Sequence, residues 1–358
     1  MQPYPAGVNA PGPAFVPPPQ ERELRFEFTG SAKEYFRIWI VNTLLTIVTL
    51  GIYSAWAKVR TKQYFYRHTF VDGTSFEYLA DPLKVLKGRI IAAVALGLLF
   101  GSQHYSLPLY LCTVAVFVLA TPWVLVKALA FNARNSAYRN IRFAFTGQTG
   151  EAYGLYLGML LLYLVTCGLA YPYVQWRMTS FAVTRHLYGD LRLWWESKPR
   201  GYYFAYLLGL LLMLPAYALM MTIAFASVGD KHDPAAAQRA MLPALAIVYP
   251  ALLAATAVVR ARLANLLYGG IRLGPHWLTS HQRGRDLVVL YLVNLVAVVC
   301  SLGLLIPWAK VRVARYTASH LKLFAVGPIH AERLLDDEPG ATGVGLADLG
   351  DFDIGIGV

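Results

Sequence analysis

Residues 38–57, IWIVNTLLTIVTLGIYSAWA, decide the class of this protein because they contain no charged side chain. Further uncharged runs occupy 90–126, 152–176, 201–229, 240–259 and 287–309. Uninterrupted apolar runs of about 18 residues or more are typical of membrane helices. Charged residues make up only 15% of the 358-residue chain, whereas soluble domains contain about 25%. The composition therefore excludes a water-soluble globular protein.

We expect an all-α polytopic membrane protein with about seven apolar segments. The segments are 38–56, 90–105, 107–126, 152–175, 202–228, 241–259 and 287–307. Between them we expect short aromatic motifs that resemble β-hairpins, together with amphipathic helices that lie in the membrane interface. The stretch 69–78 is typical of a hairpin, since Asp72-Gly73 separates two alternating runs. The stretch 56–68, rich in Lys, Arg and aromatic residues, is typical of an interfacial helix.

An internal repeat is the second organising feature of the sequence. Residues 24–30, LRFEFTG, recur as IRFAFTG at 141–147, an offset of 117. Residues 56–60, WAKVR, recur at 308–312, an offset of 252. A fixed offset of this kind indicates duplicated structural units. We therefore expect two full repeat units and a truncated third, at 21–130, 131–260 and 261–330.

The two ends of the chain differ from this body. Residues 1–20 are rich in proline and carry no charge, so we expect a disordered tail. Residues 331–358 form an acidic, glycine-rich tail, for which solubilisation is one interpretation and folding back onto the basic body is another.

The motif GIYSAWAKVR at 51–60, followed by the hairpin-like stretch 70–78, resembles the YjgN-like family of bacterial inner-membrane proteins. The likeness extends over about residues 24–330. It implies a bacterial inner-membrane protein with a domain of unknown function, and it brings no catalytic residues. The middle repeat unit departs from the motif, because Tyr-Val-Gln-Trp stands at 173–176 and only Arg177 is kept.

The sequence leaves the membrane topology of three segments open. If all seven segments cross, Lys and Arg divide almost evenly between the two sides, against the positive-inside rule. If 38–56, 152–175 and 287–307 instead enter and return, nearly all basic residues lie on one side. Helix length favours crossing, since 18 residues at about 1.5 Å each reach about 27 Å. Two hairpins, one within 90–126 and one within 202–259, are expected in either case.

The candidate site residues form a basic and aromatic motif just after each repeated segment. They are Trp56, Lys58, Arg60, Arg177, Trp308, Lys310 and Arg312. One interpretation is that they anchor helix ends in the interface. The sharper interpretation is that they bind an anionic lipid head group or a substrate phosphate, since guanidinium groups match phosphate oxygens.

Two further sets of polar residues occupy matching positions in the repeat units. Glu34, Glu151 and Asp286 stand at the entry of the repeated segments, where an acid suits a helix N-terminus. Asn42 and Asn294 lie inside apolar segments and suit either interhelical hydrogen bonds or the lining of a substrate path.

These features predict a transporter or channel-like protein whose path runs along the repeat interface. The alternative is a non-catalytic protein that binds anionic lipid, or acts as a membrane scaffold, through its basic aromatic face. The sequence contains no catalytic motif and no metal-ligand spacing, so we expect neither an enzyme nor a cofactor. We expect the lipid bilayer, with anionic lipids, as the partner. Nucleic acid is not expected as a partner, and a homo-oligomer is compatible with this class. The expected location is the bacterial inner membrane, multi-pass, with a cytoplasmic N-terminus.

Overall fold

The computed structural model describes residues 21–229, 234–329 and 331 of the chain. The predicted tails at 1–20 and 331–358 lie outside the described residues, apart from Ala331. Helices and strands alternate in pairs along the described chain. The helices are α1 (Ala32–Val48), α2 (Ser54–Arg67), α3 (Pro82–Tyr105), α4 (Leu107–Arg134), α5 (Thr149–Val165), α6 (Tyr171–Thr184), α7 (Pro199–Gly229), α8 (Pro234–Gly269), α9 (Gly284–Cys300) and α10 (Ile306–Ser319). The strands are β1 (Glu21–Phe28), β2 (Thr69–Val71), β3 (Thr74–Tyr78), β4 (Ser136–Tyr138), β5 (Ile141–Phe145), β6 (His186–Tyr188), β7 (Leu191–Trp195), β8 (Ile271–Leu273), β9 (His276–Ser280) and β10 (Leu321–Val326).

The ten strands form one closed antiparallel barrel. Each strand pairs with the strands before and after it in the chain, and β10 closes the barrel on β1 through pairs such as Leu24 with Leu323. In β1, Phe26 and Phe28 are buried while the alternate residues Glu23 and Glu27 are not. The prediction of an all-α fold is therefore wrong. The aromatic motifs resembled isolated hairpins, but they are the wall of a single barrel.

Tight turns join the strands at one end of the barrel, called here the turn end. Asp72 and Gly73 both have positive φ, as do Arg139 and Asn140, and two-residue turns of this kind fit the twist of a hairpin. The hairpin expected at 69–78 is present as β2 and β3. At the turn end Arg139 also donates a hydrogen bond to the Asp72 carboxylate, which ties two successive turns together.

Helix pairs make all the other connections between successive strands. Because neighbouring strands are antiparallel, each pair leaves and rejoins the barrel at the same end, called here the helix end. Each helix contacts the next one along the chain, and α10 contacts α1. The helices therefore form a closed ring below the barrel, with the tips of the described pairs pointing away from it.

The three repeated segments return to the barrel instead of continuing as single helices. After α1, Leu50 and Gly51 have φ of 50° and 93°, and the Gly51 N–H donates to the Thr46 carbonyl at 2.8 Å. This is the Schellman arrangement, which ends a helix and reverses the chain. The same arrangement follows α5 at Gly168 and α9 at Gly303. The amphipathic stretch 56–68 is thus the returning helix α2 and not a separate interfacial helix.

The expected number of seven membrane segments is also wrong. Among the described residues three helices are long and apolar enough to cross a membrane: Leu107–Arg134, Pro199–Ile223 and Ala244–Gly269. The segments 38–56, 152–175 and 287–307 each combine one helix, a reversal and the start of a second helix. Each segment has the hydropathy of a single membrane span because the residues of the reversal are apolar as well. The expected boundaries between repeat units stay a prediction.

Two kinds of hydrogen bond fix the helices to the barrel. The Tyr64 hydroxyl at the end of α2 donates to the Ser31 carbonyl and accepts from the Ser31 N–H, both at 2.8 Å, just before α1. Tyr316 makes the same two bonds to Arg283 before α9, at 3.2 and 2.9 Å. Three histidines cap the returning helices through Nδ1, which donates to the carbonyl four residues earlier. They are His68, His186 and His320.

Replacing Tyr64 with Phe removes both bonds and leaves the Ser31 N–H without its acceptor. We expect Tyr64→Phe to lower the free energy of unfolding by about 1–3 kcal/mol, the usual cost of an unsatisfied polar group. Denaturant titration of the protein in mild detergent measures this change. Tyr203→Phe, at an exposed position on α7, is the matched control. Equal losses in the two variants would contradict a role for this bond pair.

Candidate functional site

The barrel encloses a cavity of about 230 Å³ at its helix end. Its wall consists mainly of inward-facing strand residues, which alternate with outward-facing polar residues. The strand residues are Phe26, Val71, Phe76, Ser136, Tyr138, Phe143, His186, Tyr188, Leu193, Ile271, Leu273, Leu278, Leu321 and Leu323. The rest come from helix ends and from the chain after β10: Tyr66, Leu129, Asn132, Ala133, Val183, Leu267, Tyr268 and Ile329. The lining contains no Asp, Glu, Lys or Arg.

Aromatic rings line one arc of the cavity wall. Phe26 stacks on Phe76 at 6.3 Å between ring centroids, Phe76 contacts Tyr138 at 4.9 Å, and Tyr138 contacts Tyr188 at 6.1 Å. Rings at such distances stabilise one another beyond the area they bury. Large side chains from β1, β3, β4 and β6 thus fill part of the barrel beside an apolar space.

The two tyrosine hydroxyls in this wall are satisfied within the barrel. Tyr138 donates to the Val71 carbonyl at 2.9 Å, and Tyr188 donates to the Tyr138 carbonyl at 3.0 Å. Burial raises the pKa of Tyr188 to about 12, so it stays neutral at physiological pH. The aromatic arc of the wall is therefore apolar and uncharged.

The turn end of the cavity is covered by the chain that follows β10. Gly327 has a φ of 75°, and Ile329, two residues later, is buried in the barrel core. His276 helps to hold this segment, because its Nδ1 accepts a hydrogen bond from the Val326 N–H at 3.1 Å. With the turn end covered, the cavity extends toward the ends of α2, α4, α6 and α8.

Polar groups collect at one side of the helix end. Ser136 Oγ lies 2.9 Å from the Asn132 carbonyl and 3.3 Å from the Tyr66 hydroxyl. Behind them, Lys62 Nζ lies 3.5 Å from Asn132 Oδ1 and 5.1 Å from the centroid of the Tyr78 ring. Tyr66, Asn132 and Ser136 line the cavity, whereas Lys62 does not.

His186 forms part of the wall next to α6. Its Nδ1 donates to the Ala182 carbonyl at 2.6 Å, which leaves Nε2 as an acceptor. Burial lowers the pKa of His186, because the charged ring loses its hydration. The imidazole is therefore neutral near pH 7.

The basic and aromatic motif predicted from the sequence does not line this cavity. Its residues lie on three separate returning helices: Trp56, Lys58 and Arg60 on α2, Arg177 on α6, and Trp308, Lys310 and Arg312 on α10. The Arg60 guanidinium lies 5.7 Å from the Tyr53 ring centroid, and that of Arg312 lies 4.5 Å from the Trp308 ring centroid. Binding of an anionic lipid at this motif stays a prediction.

The three acids predicted at segment entries lie at the start of α1, α5 and α9, where the helix dipole favours them. Glu34 lies 3.9 Å from His68 Nε2, and Glu151 accepts from Arg185 at 2.8 Å, so each faces the end of the returning helix. Asp286 accepts from its neighbour Arg285 at 3.2 Å.

The two predicted intramembrane asparagines differ in their partners. Asn294 Oδ1 accepts from Arg312 at 3.0 Å, and Asn294 Nδ2 donates to the Ala309 carbonyl at 3.4 Å. Asn42 is only 4% exposed, and its side-chain amide has no hydrogen-bond partner among the described residues. Asn294 thus joins α9 to α10, while the predicted roles of the two asparagines stay predictions.

Sequence reasoning missed the cavity because its residues are apolar or were assigned to short hairpin-like motifs. The usable signal was the alternation of large apolar residues in LRFEF at 24–28, TSFEY at 74–78 and IRFAF at 141–145. Alternation predicts one buried face per strand, and several such strands predict a shared core. Within the described part of the chain, no group of three His, Cys, Asp or Glu side chains is placed to hold a metal ion.

The buried His186 predicts a pH dependence of stability. Because its folded-state pKa is lowered, the unfolded chain binds more protons below the ordinary value of 6.5. Its contribution to stability is therefore complete above about pH 6.5 and is lost as the pH falls below it. We expect the melting temperature in detergent to fall between about pH 7 and pH 5.5, and to fall less in His186→Asn. This variant keeps a donor for Ala182 but does not titrate, so an unchanged pH profile would contradict the assignment.

Comparison with known proteins gives the family of the chain. A family described as bacterial protein of unknown function, DUF898, matches residues 23–349. The inner membrane protein YjgN of Salmonella typhimurium is 30% identical over 142 residues, which cover 38% of this chain and 35% of the relative. YjgN of Escherichia coli O157:H7 is 32% identical over 122 residues, and YjgN of Escherichia coli K12 is 31% identical over 121 residues. Each of these two alignments covers 34% of this chain and 30% of the relative. No solved structure matches the chain.

These matches confirm the resemblance seen in the motif at 51–60. The aligned region spans about a third of each curated relative. The relatives are inner-membrane proteins by name, and the three candidate spans of this chain agree with that location. Because the family match extends over most of its length, this chain belongs to the DUF898 family of bacterial proteins of unknown function.

Proposed function

We propose that this protein is a non-catalytic inner-membrane protein that binds the apolar part of a lipid-like molecule inside its barrel. The apolar cavity at the helix end is the observation that carries the proposal. Ligand sites are typically concave and mostly apolar, with a few placed polar groups. Barrels of about this strand number have room for side chains or for one small ligand.

The distribution of charge supports a cytoplasmic barrel in this proposal. The described tips at 49–53, 166–170 and 301–305, and Ser106 between α3 and α4, carry no Lys or Arg. Basic residues instead stand near the barrel, for example Lys33, Arg67, Lys84 and Arg134. By the positive-inside rule, the barrel and the N-terminus then lie in the cytoplasm.

The helix pairs reach different depths in this arrangement. A helix of 17 residues, such as α1, is about 25 Å long, which is less than the apolar core of about 30 Å. The tips of the short pairs expose apolar side chains, with Leu50 94% and Leu302 95% exposed. We propose that these tips insert partway, while the longer pairs α3–α4 and α7–α8, which contain the three candidate spans, reach deepest.

Binding is preferred here to the transporter predicted from the sequence. Aromatic and aliphatic side chains occupy the barrel, and Ile329 lies at its turn end. A path for a polar solute needs polar groups along its length, whereas the cavity lining is mostly aliphatic and aromatic. The anionic lipids expected as partners fit the basic surroundings of the helix end.

The internal repeat remains part of the proposal. The pairs α1–α2, α5–α6 and α9–α10 each combine a helix of 17 residues with one of 14 residues. Each reversal contains two consecutive residues with positive φ, and the second of them is glycine. Duplication of one unit accounts for this agreement, and it gives the three short pairs a common role.

Filling the cavity tests the proposed function directly. Ala133 lines the cavity and is buried, so Ala133→Phe places a ring in the ligand space. We expect protein purified in mild detergent to lose most of its retained lipid, measured by native mass spectrometry and by extraction. Ala93→Phe, at an exposed position on α3, is the matched control and should retain wild-type lipid. A folded Ala133→Phe protein that keeps its lipid would overturn the proposal.

Sidedness can be tested with single cysteines in a background where Cys112, Cys167 and Cys300 are replaced by Ala. We expect Ser106→Cys, between α3 and α4, to react with a membrane-impermeant maleimide in intact spheroplasts. Asp190→Cys, at an exposed turn of the barrel, should react only after permeabilisation. The reverse pattern would place the barrel on the periplasmic side.

A further inference from the structure

We infer that the ligand in the barrel is an uncharged amphiphile with a hydroxyl group, and that this hydroxyl donates a hydrogen bond to Nε2 of His186. The inference rests on the proposed function. It adds the chemical class of the ligand and the side chain that recognises its head.

His186 lines the cavity from an inward-facing position of the barrel. It is the first residue of β6, where it pairs with the buried Phe145 of β5. Thr69 and Leu321 occupy the matching positions in the other repeat units, at the offsets of 117 and 252. Each of them is also the first residue of its strand, and they are 7% and 1% exposed. The second repeat unit therefore places an imidazole where the other two place a smaller hydroxyl and an aliphatic side chain.

The helix cap alone does not require a histidine at this position. Thr69 makes the equivalent bond with a smaller side chain, because its hydroxyl donates to the Phe65 carbonyl at 2.8 Å. Leu321 has no side-chain donor and still begins β10 after the same kind of helix. The imidazole adds a second nitrogen that neither of these residues has.

The second nitrogen of His186 is a hydrogen-bond acceptor. A carbonyl oxygen can only accept, so the proton of the neutral ring lies on Nδ1, at 2.6 Å from the Ala182 carbonyl, and Nε2 keeps its lone pair. Burial lowers the pKa of His186 and so favours this neutral form. Among the described residues the structure gives Nε2 no hydrogen-bond partner. An acceptor away from water is costly without a donor, and a ligand O–H in the cavity supplies one.

The rest of the lining favours an uncharged head group. Apart from His186, its polar side chains are hydroxyls and one amide, and Lys62 lies outside it. A carboxylate or an ammonium group would lose hydration there without gaining an opposite charge from the lining. A hydroxyl loses less, and it can donate to His186 while it accepts from another group. Fatty alcohols and acylglycerols with a free hydroxyl have this chemistry.

The experiment compares four probes that carry a dodecyl or dodecanoyl chain and differ in the head. Dodecanol, 1-dodecanoylglycerol, dodecyl methyl ether and dodecanoate are titrated by calorimetry against delipidated wild-type protein in amphipol. We expect at least one hydroxyl probe to bind about fivefold or more tightly than the ether, which leaves Nε2 without a donor. Dodecanoate should bind more weakly than that probe. The tighter of the two hydroxyl probes identifies a fatty alcohol or an acylglycerol as the source of the hydroxyl.

A variant and a spectroscopic measurement assign the preference to His186. His186→Leu introduces the residue that the third repeat unit has at this position, so it should bind the ether as wild type does and lose the preference for a hydroxyl. His104→Leu, at an exposed position on α3, is the matched control and should keep the preference. In protein labelled with ¹⁵N-histidine, the Nε2 resonance of His186 should shift when dodecanol binds and stay in place with the ether.

Three results would overturn the inference while the proposed function stands. They are an ether that binds as tightly as both hydroxyl probes, dodecanoate that binds more tightly than both, and His186→Leu protein that keeps the preference. If wild type binds none of the four probes, the proposed function fails, and the inference fails with it. If His186→Leu does not fold, the wild-type resonance decides the matter, since an Nε2 signal unchanged by bound dodecanol also overturns the inference.

Discussion

Closure of the barrel through β1 and β10 is the constraint on which the rest of the structure depends. Strands of three residues, such as β2 and β4, make too few hydrogen bonds to stand alone. In a closed barrel each of them has two neighbours, and no edge is left exposed. Because successive strands pair antiparallel, every helix pair also leaves the barrel from the same end. The orientation of the helices is therefore a consequence of backbone pairing and does not depend on contacts with lipid.

The helices in turn stabilise the strands. Tyr64 and Tyr316 each bridge the end of a returning helix to the backbone just before its partner helix. The histidine caps add a side-chain donor to a carbonyl in the last turn of α2, α6 and α10. These bonds lie at the junction between barrel and ring, which in the proposed arrangement is the boundary between water and lipid, where unsatisfied backbone is costly. The junction is thus the most tightly specified layer of the molecule.

Local features of the fold could be predicted from the sequence, and non-local ones could not. Asp72-Gly73 indicated a hairpin because its turn chemistry is contained in two residues. The pairing of β3 with β4, such as Phe76 with Tyr138, joins residues separated by two long helices, and no spacing rule reveals it. The reversal at Leu50–Gly51 was one of two alternatives left open by the sequence, because the charge distribution favoured a return while the apolar Leu50 made the segment look like one long helix. The cavity was missed for a similar reason. The residues predicted from the sequence were charged ones such as Arg60 and Arg312, whereas the cavity is formed by apolar residues such as Phe26, Phe76 and Leu323.

The two asparagines, on α1 and α9, differ in whether their side-chain amides have hydrogen-bond partners. Asn294 is paired with Arg312, whereas Asn42 is buried with no partner for its amide among the described residues. Such an amide costs about 1–3 kcal/mol, yet α1 keeps its place because Tyr64 binds its start and α10 packs beside it. The position of each helix pair is therefore set by contacts at its barrel end, and the position of its tip follows from them.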